Sequence, residues 1–136
     1  MSCVFCGIID GTTPASIVMR DDHVVAFLDA RPLFLGHVLV APRAHVVTLD
    51  ELPPPLVPAL FGVVQKLSRA VVAACAAQGS FVALNNVVSQ SVPHLHVHVV
   101  PRTKGDGLKG FFWPRTKYAS DEERDAYADK IAAALE

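Results

Sequence analysis

The sequence predicts an α+β domain: an antiparallel sheet of about five strands, covered by one long helix and followed by a C-terminal helix. Three observations lead there. Apolar stretches of strand length are joined by short turns rather than helical crossovers, as antiparallel pairing requires. One long stretch carries the helical apolar period. A length of 136 residues with 51 % apolar content fits one core, so residues 1–136 are read as a single domain.

In chain order, Ser16–Arg20 and His23–Asp29 are the first two strands, and Asp21-Asp22 between them suits a tight hairpin connection. His23 sits at that turn as a surface residue. The third strand, His37–Ala41, starts after Gly36 and stops at Pro42. From Leu56 to Gln78, Leu60, Val63, Val64, Leu67, Val71 and Cys75 recur at intervals of three and four. Asp50 and Pro53-Pro54-Pro55 mark the entry to this helix, and Gly79 marks its stop. Gln65, Lys66, Ser68 and Arg69 form its polar side; the other side should cover the sheet, with Cys75 an inert buried thiol there. Ser80–Asn85 and His94–Val100 are the last two strands, the second ended by Pro101. Ser120 and Glu123 stand at capping-box spacing before a helix whose Tyr127, Ile131, Ala134 and Leu135 share a face expected to dock.

Charge narrows the function. Twelve basic against thirteen acidic residues leave a formal net charge of −1, which argues against a partner that is a nucleic acid polymer. Locally, Arg102, Lys104, Lys109, Arg115 and Lys117 are opposed by Asp106 alone, and residues 121–136 lean acidic; each block reads first as solvated surface. Met1–Cys6 has neither the basic start nor the apolar stretch of a secretory signal, and no apolar run reaches the roughly 20 residues of a bilayer span. The expectation is a cytoplasmic chain with no membrane partner. Three cysteines without such a signal do not form a disulfide framework, so Cys3 and Cys6 pose a metal or redox question.

The densest chemistry lies in His94-Leu95-His96-Val97-His98-Val99-Val100. Side chains alternate faces along a strand, so three imidazoles share one side and Leu95, Val97 and Val99 the other. Three ligands for one metal would need the outer residues, roughly 13 Å apart along a strand, to lean inward to bonds of about 2 Å. A middle imidazole used as nucleophile asks less of the geometry. Its attacking nitrogen must be unprotonated, so the other must donate to a fixed acceptor, for which a main-chain carbonyl would serve. His98, Gln90 and Ser91 are the right chemical types to hold phosphate oxygens or assist a leaving group.

Gln90-Ser91-Val92-Pro93-His94-Leu95-His96-Val97-His98-Val99-Val100-Pro101-Arg102 resembles the signature of the histidine triad (HIT) family. Cys3–Ile9, Phe27-Leu28-Asp29 and Gly36–His45 resemble that family's opening and its second and third strands. The resemblance implies a HIT-like fold and a Hint-like nucleotide hydrolase or transferase, usually a homodimer, working through a nucleotidyl-histidine. It implies His96 as nucleophile, oriented by the His94 carbonyl, with His98 on a nonbridging phosphate oxygen and Gln90 and Ser91 at the phosphate or leaving group. Asp29, Asn85, His37 and Phe27 are the implied nucleotide contacts: Asp29 for the ribose hydroxyls, Asn85 (or Asn86) for ribose or phosphate, His37 as support for the triad. Two departures stand out: Ser89 replaces a usual glycine, and the stretch from Asn85 to Gln90 is shorter than usual. Gly110–Arg115 resembles the tail of some bacterial members and reads first as apolar packing, with Trp113 or Arg115 at the leaving-group side as the alternative.

Some family members bind zinc through a cysteine pair and two histidines, here Cys3, Cys6, His45 and His94. A zinc with four protein ligands would be structural, and no organic cofactor is implied. The expected substrate is a purine nucleoside phosphoramidate or adenylylated conjugate, attacked at its α-phosphorus. The alternatives are a dinucleoside polyphosphate hydrolase, metal-dependent hydrolysis at the three histidines, and a zinc-stabilised nucleotide-binding module without significant turnover.

Overall fold

A computed structural model describes residues 3–108 and 115–135. The chain divides into two compact units, residues 1–106 and 107–136. The first unit runs α1 (Val4–Asp10), β1 (Ile17–Arg20), β2 (Val24–Leu28), β3 (Val38–Pro42), α2 (Leu56–Ala74), β4 (Gly79–Ala83) and β5 (Val97–Arg102). The sheet order is β1-β2-β3-β5-β4, with every neighbour antiparallel.

The hairpin between β1 and β2 is set by Asp21, whose carboxylate accepts from the His23 and Val24 amides, both at 2.8 Å. These bonds hold the Asp21 carboxyl below its ordinary range, the His23 amide first. His23 is exposed at this turn.

Alternation along the strands sorts side chains into two cores. Val24, Val40, Leu95, Val97 and Val99 meet α2 on one face, where Leu60, Val63, Val64, Leu67 and Val71 are buried. Phe27, Leu39 and Ala41 meet Phe5, Ile8 and Ile9 of α1 on the other. By length and composition α2 would suit a bilayer span. Its apolar stripe is instead buried on the sheet, with Gln65, Lys66 and Arg69 exposed.

Several boundaries differ from the sequence expectation. Helix α2 stops at Ala74, because Ala76 adopts the left-handed conformation at φ 51°, and Gly79 opens β4 instead of capping the helix. Cys75 therefore falls at the helix end and is exposed, not buried. Strand β5 begins at Val97, and Pro101 lies within it. Pairing with β3 ends at Val38↔Val99, so Pro101 sits where β5 is flanked by β4 alone, a position that tolerates the missing N–H. Helix α1 was not predicted: Cys3 caps its start by accepting from the Cys6 amide at 3.4 Å, and Gly11 at φ 88° ends it.

In the second unit, α3 (Asp121–Ala134) is capped by the Ser120 hydroxyl, which accepts from the Glu123 amide at 3.1 Å, and its first turn is acidic. None of its residues is buried; Ile131, on the face expected to dock, is 64 % exposed. Capping and charge, rather than burial, account for this helix. Lys109 and Gly110–Pro114, with Trp113 among them, lie outside the described residues.

Candidate functional site

Two histidine clusters lie at the lead-in to β5. His94, Leu95 and His96 precede the strand, yet the alternation already holds: Leu95, Val97 and Val99 enter the core under α2 while the imidazoles face away from it. His94 and His96 are both buried.

At His96, Nδ1 lies 2.7 Å from the His94 carbonyl oxygen. A carbonyl only accepts, so Nδ1 carries a proton, and in the neutral ring the lone pair is on Nε2. Phe5 packs edge-on against this ring at 4.9 Å between centroids, and His98 lies 5.0 Å away.

The neighbouring relay fixes the opposite tautomer at His98. The Leu33 amide donates to His37 Nδ1 at 3.0 Å, so His37 carries its proton on Nε2. His37 Nε2 donates in turn to His98 Nδ1 at 2.9 Å, which leaves the His98 proton on Nε2. Asp29 stands 3.7 Å from His37 Nε2 and accepts from the Arg31 amide. Burial, then the charges of His96 and His37, push His98 down to about 4, so it is neutral at physiological pH. Burial also lowers His37, partly offset by Asp29. The site thus offers one imidazole lone pair beside one neutral N–H donor.

Both rings face a cavity of about 290 Å³, walled by Phe5, Ile8, Phe27 and Leu39 and carrying Asp29 and Ser91 on its rim. That is close to the lower bound for small-molecule pockets. Of the residues singled out from sequence, the structure brings His96, His98, Phe27, Asp29 and Ser91 to this cavity, with His37 directly behind His98. It does not bring Gln90 or Asn85 there. The Gln90 amide donates to the Val47 carbonyl at 2.7 Å and accepts from the Val87 amide at 3.1 Å, while Asn85 donates to the Ser89 carbonyl. Both ends of the Gln90 amide and one N–H of Asn85 thus shape the loop, in which Val87 and Ser89 have positive φ. Sequence reasoning missed Phe5, which no pattern separates from an ordinary core residue, and the Leu33 amide, which no sequence signal marks.

The second cluster gathers Cys3, Cys6, His45 and His94, whose ligand atoms all lie within 4.8 Å of one another. His94 donates from Nε2 to the Pro42 carbonyl at 2.8 Å, so its Nδ1 turns a lone pair toward the other three. That nitrogen is 3.6 Å from each sulfur and 3.1 Å from His45 Nδ1, and Cys6 Sγ is 3.3 Å from His45 Nδ1. Four donors bonded tetrahedrally to one zinc-sized ion at about 2.0–2.3 Å would be about 3.3–3.8 Å apart. The donor set and spacing fit such an ion. Asp29, His37 and His98 form another group within the same distance of one another, but their contacts there are those of the proton relay.

Fold and sites together define an α+β domain with a histidine-lined cavity and a separate Cys2His2 cluster. The chain belongs to the HIT family: residues 10–105 match the HIT domain. It is 36 % identical to an uncharacterized HIT-like protein of Mycobacterium tuberculosis, over 99 % of this chain and 94 % of that one. It is 30 % identical to an adenosine 5′-monophosphoramidase of Schizosaccharomyces pombe, over 99 % of each. An adenylylsulfatase of Arabidopsis thaliana is 38 % identical over 78 % of this chain and 55 % of its own length. Among solved structures, a HIT family member from Bacillus subtilis superposes with TM-score 0.91 at 35 % identity, covering 100 % of this chain and 99 % of that one. A zinc-bound histidine triad protein from Mycobacterium smegmatis superposes with TM-score 0.76 at 37 % identity, covering 98 % of both. The family is one of nucleotide hydrolases and transferases.

Proposed function

We propose that this chain hydrolyses a purine nucleoside phosphoramidate or adenylylated conjugate by attack of His96 on the α-phosphorus. The observation that carries this is the 2.7 Å bond from His96 Nδ1 to the His94 carbonyl, which selects the tautomer whose lone pair is on Nε2, beside a neutral His98 donor. His96 Nε2 forms a bond to phosphorus as the bond from phosphorus to the departing amine breaks, the amine nitrogen taking up a proton from solvent that the attacking water of the second step returns. Water then attacks the nucleotidyl-histidine, and the bond to His96 breaks. Overall, water supplies the hydroxyl of the released nucleotide and the proton of the released amine. His98 Nε2–H donates to a nonbridging oxygen throughout, and Asp29 accepts from the ribose hydroxyls at the cavity rim.

Cys3, Cys6, His45 and His94 would hold zinc. When bound, the ion supplies a closed structural clamp with no position open to water. A cytoplasmic homodimer completes the reading, since reduced thiols suit that compartment. The 30 % identical phosphoramidase supports the reaction class over the polyphosphate alternative.

The test is purified protein with adenosine 5′-phosphoramidate, against His96→Ala, with adduct trapping by mass spectrometry. Turnover is expected for the wild type, a loss of at least about 10⁴-fold in kcat for the variant, and an adenylyl adduct mapped to His96. Nucleotide binding without turnover or adduct would instead make the chain a binding module.

A further inference from the structure

Among the described residues two rings meet His96: Phe5 at 4.9 Å between centroids with the planes at 90°, and His98 at 5.0 Å and 64°. Phe5 is buried and touches two further rings, Phe27 at 5.2 Å and His94 at 6.0 Å. It is carried on α1, whose cap is Cys3 and whose first turn also bears Cys6 of the metal cluster. Ile8 and Ile9 bury the same helix against the sheet. A helix of 7 residues has little stability of its own, so α1 is placed by the core and the cluster, and Phe5 with it.

The bond from His96 Nδ1 to the His94 carbonyl selects the tautomer but anchors only one edge of the ring. The terminal torsion of an imidazole is broad, and a hydrogen bond tolerates about 30° of misalignment before it weakens. A reacting atom must be held more tightly, to about 0.5 Å and about 10–20° of its productive geometry. A second contact has to close that gap. His98 turns Nδ1 to His37 and Nε2–H to the phosphate, so its own orientation answers to those partners. Phe5 presents a perpendicular ring, a preferred packing geometry for aromatic pairs. Having no polar atom, it limits the swing of His96 without engaging the Nε2 lone pair.

Building on the reaction proposed above, we infer that Phe5 is a positioning residue for the nucleophile. It fixes the plane of the His96 ring so that Nε2 meets the α-phosphorus in line, and this role is separate from its place in the cavity wall.

The test compares Phe5→Leu with Ile8→Ala, both zinc-saturated, on adenosine 5′-phosphoramidate. Both residues sit on α1, belong to the same core and line the same cavity, but of the two only Phe5 sets a ring against His96. In Phe5→Leu, kcat and the single-turnover rate of adenylylation should fall about tenfold to a hundredfold, with KM changed by less than about threefold. In Ile8→Ala, KM should rise while kcat stays within about threefold. NMR relaxation of the His96 ring carbon Cε1 in ligand-free protein should show a more mobile ring in Phe5→Leu and the wild-type ring in Ile8→Ala. Phe5→Met, unbranched and flexible enough to fill the space, serves where Phe5→Leu does not fold. A structural role alone would lower the melting temperature of both variants and leave kcat per folded molecule and ring mobility unmoved. That result, a loss carried by KM alone in Phe5→Leu, or an equal loss of kcat in Ile8→Ala would overturn the positioning role while the reaction stands. Absence of wild-type turnover, with no adduct on His96, would remove the reaction itself and the positioning role with it.

Discussion

Two pairs of imidazoles sit at nearly the same separation and do different chemistry. His37 Nε2 and His98 Nδ1 are 2.9 Å apart, and His45 Nδ1 and His94 Nδ1 are 3.1 Å apart. What separates the pairs is the third partner. A donor, the Leu33 amide, sits behind His37 and sends a proton forward into the pair. An acceptor, the Pro42 carbonyl, sits behind His94 and draws its proton away, turning a lone pair toward two sulfurs and a second imidazole. A histidine pair is thus a proton relay or half a metal site according to the main-chain group at its back. The two clusters meet in one residue, since the His94 side chain belongs to the metal cluster and its carbonyl orients His96.

The largest effect expected at the metal end is on stability, not chemistry. Protein saturated with zinc should bind one ion per chain, and chelation or Cys6→Ser should lower its melting temperature. A ligand at a hundredfold excess over its Kd contributes about 2.7 kcal/mol, or roughly 10 °C in a chain of this size. Turnover below the new melting temperature should persist, because four protein ligands leave the ion no catalytic position. Calorimetry with metal analysis checks the first statement. Immediate loss of activity in a still-folded chelated sample would count against the second.

Much of this contrast was legible in the sequence, and the reasons differ by residue. The imidazole face was readable because side chains already alternate ahead of Val97, where β5 begins: Leu95 enters the core under α2 between His94 and His96. Cys3, Cys6, His45 and His94 were readable only through family resemblance, since 39 residues separate Cys6 from His45 and nothing local links them. The end of α2 was misplaced because Ala76 takes a left-handed conformation that alanine rarely adopts. Helix α1 is too short for periodicity, and its cap is a cysteine sulfur. Whether the Gln90 amide faces a ligand or the backbone is decided by the Val47 carbonyl, 43 residues away, which no window on the sequence contains.

At the relay end, His37→Leu should cost tenfold to a hundredfold in kcat, about the usual loss when the partner orienting an imidazole is removed. KM should move little, because His37 stands behind His98 and does not line the cavity. A role confined to packing would lower stability and leave kcat per folded molecule unchanged, so kcat and melting temperature are measured together. His37→Gln, which retains an N–H donor, should recover part of the loss.

The smallest effect is a pH dependence that ordinary histidines would not show. His98 is held down to about 4, and His37 is lowered by the same burial. An unfolded histidine takes up its proton near 6.5, so between about 6.5 and about 4 the unfolded chain binds more protons than the folded one. Stability is therefore full above about 6.5, falls as the pH drops toward about 4, and stops falling from this source below that. Titration of zinc-loaded protein by imidazole ¹⁵N shifts should find His98 neutral at pH 5, its proton on Nε2. A His98 midpoint near 6.5 would mean that the ring is not buried in solution as described, and a proton on its Nδ1 would mean that the Leu33–His37–His98 relay does not form and that the difference between the two histidine pairs disappears.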